Sequence, residues 1–308
     1  MKIIDFIGDI HGHADKLHEL LRKLGYYFHE EKCFYTHPDR QTIFVGDYID
    51  RGPKIRETLM LVRSMVDNGG AIALMGNHEY NALCFNMKSQ EGNYLREHSI
   101  KNIIQHYKTL EQFHNRQEEY NDYINWFLSL PLYYETENFR VVHACWDDKN
   151  IRMLDQFLPD RRLDRHLLES SVKPGDFHKA IEETLKGKEL PLPENLQFVD
   201  AEGALRRELR VKWWENFKSA TYRTVSIEPS ETVPDVPVVD QILSSAGYYS
   251  ETEKVVFFGH YWLKGNPSIF RENICCLDYS IAKNGYLVAY SLHKLANEGL
   301  HKSNFTFV

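Results

Sequence analysis

Residues 3–25 read IIDFIGDIHGHADKLHELLRKLG, and the fold follows from how this stretch is built. Ile3, Ile4, Phe6 and Ile7 form a short apolar run that stops at Gly8. A run this short and continuous, ending in Gly, predicts a strand buried on both faces. Leu17, Leu20, Leu21 and Leu24 then recur at helical spacing, with Asp9 and Asp15 flanking the start and Gly25 closing the end. The unit is strand, loop, helix. It repeats at Ile43–Val45 before Gly46, followed by a helical pattern over 54–66 carrying Ile55, Leu59, Leu61, Val62 and Val66. Asn68-Gly69-Gly70 turns into the next apolar run, 71–75, which stops at Gly76. Alternation of this kind predicts a largely parallel sheet with helices on its faces.

The polar residues fall just beyond these runs. GDIHG at 8–12, GDYIDRG at 46–52, GNHE at 76–79, VVHA at 141–144 and FFGH at 257–260 each follow apolar residues, and CLDYS stands at 276–280. Loops at the carboxyl ends of strands are where open α/β sheets place their ligands. Five such loops side by side would gather Asp9, His11, Asp47, Asn77, His143 and His260, residues scattered over some 250 positions. A Gly-Asp pair after one strand is often only a turn, and a lone His on an apolar run is more often a satisfied buried side chain. Neither reading explains why strand after strand ends in a metal-capable residue.

Carboxylate, carboxamide and imidazole, without Cys, suit Mn, Fe, Zn, Mg or Ni ions. Two divalent ions ~3.5–4 Å apart can hold a hydroxide and clamp the attacking and leaving oxygens of an in-line displacement. His78 follows Asn77 directly, so their side chains diverge. It is free to protonate a leaving alkoxide, with Asp50 placed to fix its tautomer. Arg51 offers a planar fork to two phosphate oxygens. The chemistry predicted is phosphoester hydrolysis.

The order GD-x-HG, GD-x-x-DRG, GNHE resembles the calcineurin-like metallophosphoesterases, and within them the phosphoprotein phosphatase branch, as a bacterial-type member. The resemblance is dense over 3–85 and looser at 139–145, 255–260 and 274–290. It implies a β-sandwich of two mixed sheets flanked by helices, an α/β fold with helical cap insertions. It also implies that Asp9, His11 and Asp47 hold one metal and that Asp47, Asn77, His143 and His260 hold the second, Asp47 bridging. Manganese is the metal expected first. His78 and Asp50 would form an acid dyad, Arg51 would bind phosphate, and Tyr279 in CLDYS would face the substrate. The chain departs from the branch in three places. It has HACW at 143–146 where the protein phosphatases have HGG, and CLDYSIAKNG at 276–285 where they carry a SAPNY-type segment. Their second phosphate-binding Arg has no counterpart. The metal centre is intact; the substrate class is open.

Thirty-seven basic against 44 acidic residues give a net charge of −7, which argues against nucleic acid or an acidic membrane as the main partner. The 308 residues are read as one domain with a helical insertion at 86–130 and a cap or lid at 146–253. Within the cap, helical patterns are read at 161–171, 175–186 and 203–217, followed by a Pro-rich loop at 226–240. The 203–217 helix would carry LRRELRVKWWE, putting Arg206 and Arg210, or Arg207 and Arg210, on one face. At least one of them would reach the substrate phosphate. Short strands at 254–259, 267–271, 273–278 and 285–290 would run antiparallel and close the sandwich. The five cysteines have no zinc-site spacing and read as reduced core residues. With no signal peptide and no span-length apolar stretch, the cytoplasm is the default.

The leading functional reading is a phosphomonoesterase acting on phosphoproteins of Ser/Thr type or on small phosphorylated compounds. The alternative is a symmetrical dinucleoside tetraphosphate hydrolase, with Trp146, Trp213, Trp214, Tyr222, Tyr261 and Trp262 as possible base-stacking surfaces. A phosphodiesterase or nuclease fits the acidic chain poorly. A non-catalytic phosphate-binding module would require loss of a ligand or of the acid, and neither is lost.

Overall fold

The computed structural model describes residues 2–199, 203, 205–227, 231–239, 248–293 and 299–308. Two mixed sheets face each other. In the larger, strand Ile3–Ile7 lies at the centre, parallel to Arg40–Phe44 with Phe6 opposite Ile43, and Arg40–Phe44 is in turn parallel to Ile72–Ala73. On its other side Ile3–Ile7 pairs antiparallel with Tyr286–Leu292, which is flanked by Asp278–Tyr279 and Phe305–Phe307. The second sheet orders Ile274–Cys276, Val255–Phe258, Phe139–Val142 and Tyr133–Glu135. Its first three strands are parallel and the last is antiparallel.

The sheets meet through aromatic rings. Phe6 stacks on Phe257 at 3.7 Å between centroids and meets the edge of Phe139 at 5.0 Å. Val45, Leu74, Val141, Cys275 and Tyr290 complete this inner layer. That is why the strand sequences are apolar without alternation: the inner face packs on the other sheet and the outer face on helices. Helices Ala14–Lys23 and Ile55–Gly69 bury Leu17, Leu20, Leu21, Leu59 and Val62 on the outer layer. The chain crosses between the sheets at Leu277. Its N–H bonds Phe258 O in one sheet at 2.7 Å, while the next residue, Asp278, pairs with Leu287 in the other.

Three helices come next, the first beginning inside GNHE: Asn77–Asn86, Ile100–Gln112 and Gln117–Phe127. Helices Arg165–Ser171 and Asp176–Lys186 stand where the spacing predicts them. The helix expected over 203–217 does not form among the described residues. Leu205–Arg206 and Glu208–Arg210 are strands, paired antiparallel with Phe198–Val199 and Glu189–Pro191. Leu209 and Val211 are buried while Arg206, Glu208 and Arg210 are exposed. The period is therefore two, and the helical pattern read over 203–217 is incidental. Leu190, Leu209, Val211, Phe217, Tyr222 and Val225 build a small core of their own.

Two other expectations change. Residues 267–271 are not a strand; of them, Arg271 alone forms a bridge, to Ile274. Val255–Phe258 and Ile274–Cys276 run parallel, not antiparallel, because the connection between them loops back over the sheet end and does not turn as a hairpin. The Pro-rich loop at 226–240 lies partly outside the described residues. The five cysteines are free and all but Cys33 are buried. No helix of the described residues is long and apolar enough to cross a membrane.

Phe6 is fully buried between the sheets, so Phe6→Ala should destabilise the protein by about 3–5 kcal/mol. Urea unfolding followed by fluorescence would measure it; a loss below about 1 kcal/mol would mean that the sheets do not depend on this ring pair.

Candidate metal centre

The loops after the strands converge at one edge of the sandwich. Asp9, His11, Asp47, Asn77, His143 and His260 are all buried there. Asp47 is the hub: His11 Nε2 lies 3.5 Å from its Oδ2, and His143 Nε2 lies 3.4 Å from its Oδ1. Asn77 Oδ1 stands 3.1 Å from His143 Nε2 and 2.8 Å from His260 Nδ1. The backbone N–H of His260 donates to Asp9 Oδ2 at 3.0 Å. Donor atoms of His11, Asp47 and His78 form one group within 4.8 Å, and those of Asp47, His143 and His260 form another. Asp47 belongs to both.

The donor set fits two divalent cations. His11 and His143 each face a backbone carbonyl with Nδ1, of Ile49 at 2.9 Å and Val45 at 3.0 Å. That fixes the tautomer and leaves Nε2 as a lone-pair donor toward the pocket. His11 Nε2 and His260 Nε2 are buried without a hydrogen-bond partner, an arrangement folded proteins rarely tolerate. Charge points the same way. Burial, then the charge of Asp278, push Asp9 well above the usual carboxylate range. Burial lowers His11 to about 3. His143 is pushed up to about 10, since the charge of Asp47 outweighs burial. Cations between these groups would relieve all three conflicts.

The backbone is forced to make this site. His11, Asp47, Asp50, Arg51 and His260 have φ of +45°, +56°, +65°, +65° and +74°, left-handed values that few non-glycine residues adopt. Glycines give the close approaches: a Cβ on Gly76 would lie 2.2 Å from Asp47 Oδ1, and one on Gly259 1.9 Å from Asp9 Oδ1. Glu79, quoted in GNHE but given no role by the sequence, ties the loops together. Its carboxylate accepts the N–H groups of Gly76, Asp47 and Tyr48 at 2.8–2.9 Å and of Ile49 at 3.3 Å.

His78 stands beside this centre, its Nδ1 2.5 Å from Asp50 Oδ2 and its Nε2 3.9 Å from Asp47 Oδ2. Burial works to raise the Asp50 pKa, but His106 and His78 outweigh it and hold the carboxyl below the usual range. In the sequence His106 stands only as one residue of the helical insertion read at 86–130. Arg51 lies over the Trp262 ring at 4.0 Å, and Lys283 Nζ lies 4.1 Å from the same ring. The backbone N–H of Trp262 donates to Asp278 Oδ2 at 2.7 Å. Trp146, Trp213, Trp214, Tyr222 and Tyr261 are at most 2 % exposed, which removes them as base-stacking surfaces.

Arg206, Arg207 and Arg210 lie along the same cleft, on two strands and the bend between them, so the helical face expected to group them does not exist. Of the three, Arg210 bears on the centre: after burial, its charge is the largest influence lowering the His260 pKa. Tyr279 is buried, its hydroxyl taking the Ser268 N–H at 2.7 Å. Arg96, absent from the sequence reading, lines the cleft beside His78. It donates to Asn81 Oδ1 at 2.9 Å and Gln105 Oε1 at 2.8 Å, and it enters no ion pair among the described residues.

Equilibrium dialysis against Mn²⁺ should load two ions per chain, since Asp47 has metal-capable groups on both sides and His78 is not needed to hold either ion. His260→Ala should bind fewer. Mn²⁺ at about 100 times its Kd should stabilise the wild type by about 2.7 kcal/mol, seen as a rise in melting temperature that a chelator reverses. A His260→Ala variant with an unchanged load would remove His260 from the centre.

The sequence profile of the calcineurin-like phosphoesterases matches residues 3–279. The chain is similar to the bis(5'-nucleosyl)-tetraphosphatase PrpE [asymmetrical] of Oceanobacillus iheyensis, 34% identical over 146 residues, covering 46% of this chain and 54% of the relative. It is similar to the protein of the same name from a Geobacillus species, 32% identical over 145 residues, covering 46% and 56%. The chain thus spans about half the length of these curated relatives. Among solved structures, the cold-active protein-tyrosine phosphatase of a psychrophilic Shewanella species aligns with a TM-score of 0.49 at 18% identity, covering 94% of this chain and 75% of that one. With the family profile spanning nearly the whole chain and each of its metal-capable residues at the end of a strand, this protein belongs to the calcineurin-like phosphoesterases.

Proposed function

We propose that this protein is a dinuclear-metal phosphoester hydrolase whose substrate is an extended polyphosphate, of the dinucleoside polyphosphate class. The observation that carries the reading is the cleft over the centre. Its volume is about 1520 Å³, above the usual range of small-molecule sites, roughly 300–1,000 Å³, and far more than a small monoester fills. Its walls hold Arg51, Arg96, Arg206, Arg207, Arg210, Lys264 and Lys283, while Glu189 and Glu208 are its acidic residues away from the dyad. A chain with a net charge of −7 has concentrated cations in one groove, which suits a ligand carrying several negative charges. The names of the PrpE relatives point to the same substrate class and to asymmetrical cleavage. The sequence offers symmetrical cleavage as its alternative; the asymmetrical mode is proposed in its place, which the relatives' names support.

In this reading each residue has a task. Arg51 and Arg96 bind non-bridging phosphate oxygens, Arg51 seated on Trp262 and Arg96 on two amides. His78 presents Nε2 to the leaving oxygen and transfers a proton to it, while Asp50 fixes the ring. Asp9, His11, Asp47, Asn77, His143 and His260 would hold the cations. When bound, two divalent ions supply Lewis-acid stabilisation of the charge that develops on the phosphoryl oxygens.

A substrate panel with Mn²⁺ tests the proposal. Diadenosine tetraphosphate should be cleaved to ATP and AMP with a higher kcat/KM than p-nitrophenyl phosphate, its bis-ester or a phosphoserine peptide. Two equivalents of ADP would restore the symmetrical reading, and a preference for the peptide would restore the phosphomonoesterase. Phosphate binding without turnover of any substrate would favour the non-catalytic module. His78→Asn should lower kcat by about 10²–10⁴-fold where the leaving group is basic, with metal content unchanged. Arg96→Met should lower kcat/KM by the worth of a charged hydrogen bond, roughly 1.5–3 kcal/mol. Equal kcat/KM in wild type and variant would leave Arg96 a tie between helices.

A further inference from the structure

Behind the His78–Asp50 pair lies a closed chain of hydrogen bonds. Asp50 gives Oδ2 to His78, while its Oδ1 takes His106 Nδ1 at 2.8 Å and Thr109 Oγ1 at 2.5 Å. His106 Nε2 is 2.6 Å from the Tyr120 hydroxyl, which accepts from Asn86 Nδ2 at 2.7 Å. Asn86 Nδ2 also donates to the Ala82 carbonyl at 2.8 Å, which identifies that atom as the amide nitrogen. The direction of every proton follows. Tyr120 is buried and already accepts from Asn86, so its own hydrogen needs an acceptor, and His106 Nε2 is the one within reach. His106 then carries its proton on Nδ1 and donates to Asp50. With Oδ1 engaged by His106 and Thr109, Oδ2 is the oxygen left for His78 Nδ1–H.

We propose that His106 is a positioning residue for the reaction: by donating to Asp50 it fixes that carboxylate as an acceptor on both oxygens and so holds His78 with Nε2 toward the metal pocket. The inference rests on the functional reading above, in which His78 is the general acid. The helix Ile100–Gln112 is thus part of the acid's support, although it lies outside every metal-ligand motif. If His106 merely ties this helix to the loop at Asp50, its loss lowers stability and leaves the chemistry of the leaving group untouched.

The test uses the Mn²⁺-loaded full chain and a series of aryl phosphates whose leaving phenols differ in basicity, with diadenosine tetraphosphate alongside. His106→Leu should lower kcat by about 10- to 100-fold for the most basic leaving group and by about threefold or less for the least basic, a fraction of the full general-acid effect. KM and the load of bound ions should hold. Tyr120→Phe should shift the leaving-group dependence in the same direction by a smaller amount. His106→Asn places an N–H where Nδ1 was and should recover most of the rate. If His106→Leu fails to fold, the slopes of Tyr120→Phe and His106→Asn decide the matter. An active wild type with the same leaving-group dependence in every folded variant overturns this inference alone. A metal-loaded wild type that hydrolyses none of these substrates overturns the functional reading, and this inference with it.

Discussion

The Glu79 carboxylate holds the centre in shape. Two loops, from different strands, must each aim a metal-capable side chain at the same few ångströms of space, and neither loop has a ladder to keep it there. Glu79 accepts four of their N–H groups at once. Hydrogen bonds to a charged acceptor are worth roughly 1.5–3 kcal/mol each, against a desolvation penalty of several kcal/mol for burying the carboxylate. The conflict is visible: burial, then the charge on Asp47, push Glu79 up to about 7 against its backbone donors. The residue is shaped by what it must receive, since no neutral side chain accepts four N–H groups without presenting a donor of its own.

The rest of the site repeats this pattern of local conflict held by surrounding order. Five left-handed residues each carry about 1–3 kcal/mol of backbone strain, and buried imidazoles face buried carboxylates. What holds them is the apolar sandwich below, in which Phe6 and Phe257 lock the sheets together. The strands are rigid because they are buried on both faces. The loops can be strained because the strands are rigid.

The sequence revealed this half of the molecule well, for a physical reason. A strand buried on both faces, a terminal glycine and a ligand immediately beyond it are neighbours along the chain, so Asp9, Asp47 and Asn77 announce themselves. His143 and His260 needed the ordered set. Contacts made across long separations were illegible. His106 meets Asp50 from 56 residues away, and nothing in KNIIQHYKTL distinguishes that histidine from a solvated one. Arg96 is marked by entering no ion pair among the described residues, which only three dimensions disclose. The stretch 203–217 misled because it reads at helical spacing, whereas pairing of Glu208–Arg210 with Glu189–Pro191 imposes a strand. In that region tertiary pairing outweighs local spacing.

The crossing at Leu277 carries a consequence for how the molecule comes apart. Two consecutive residues, Leu277 and Asp278, belong to the two hydrogen-bond ladders in turn, and the Leu277 carbonyl packs against Gly8, where a single methyl would collide with it. Neither sheet can peel away and leave the other whole. The metal-capable Asp9 and His260 sit on this seam, one following a strand of each sheet. Ions held there would be gripped from both sheets at once, so their release would draw on the same cooperative unit as separation of the sheets.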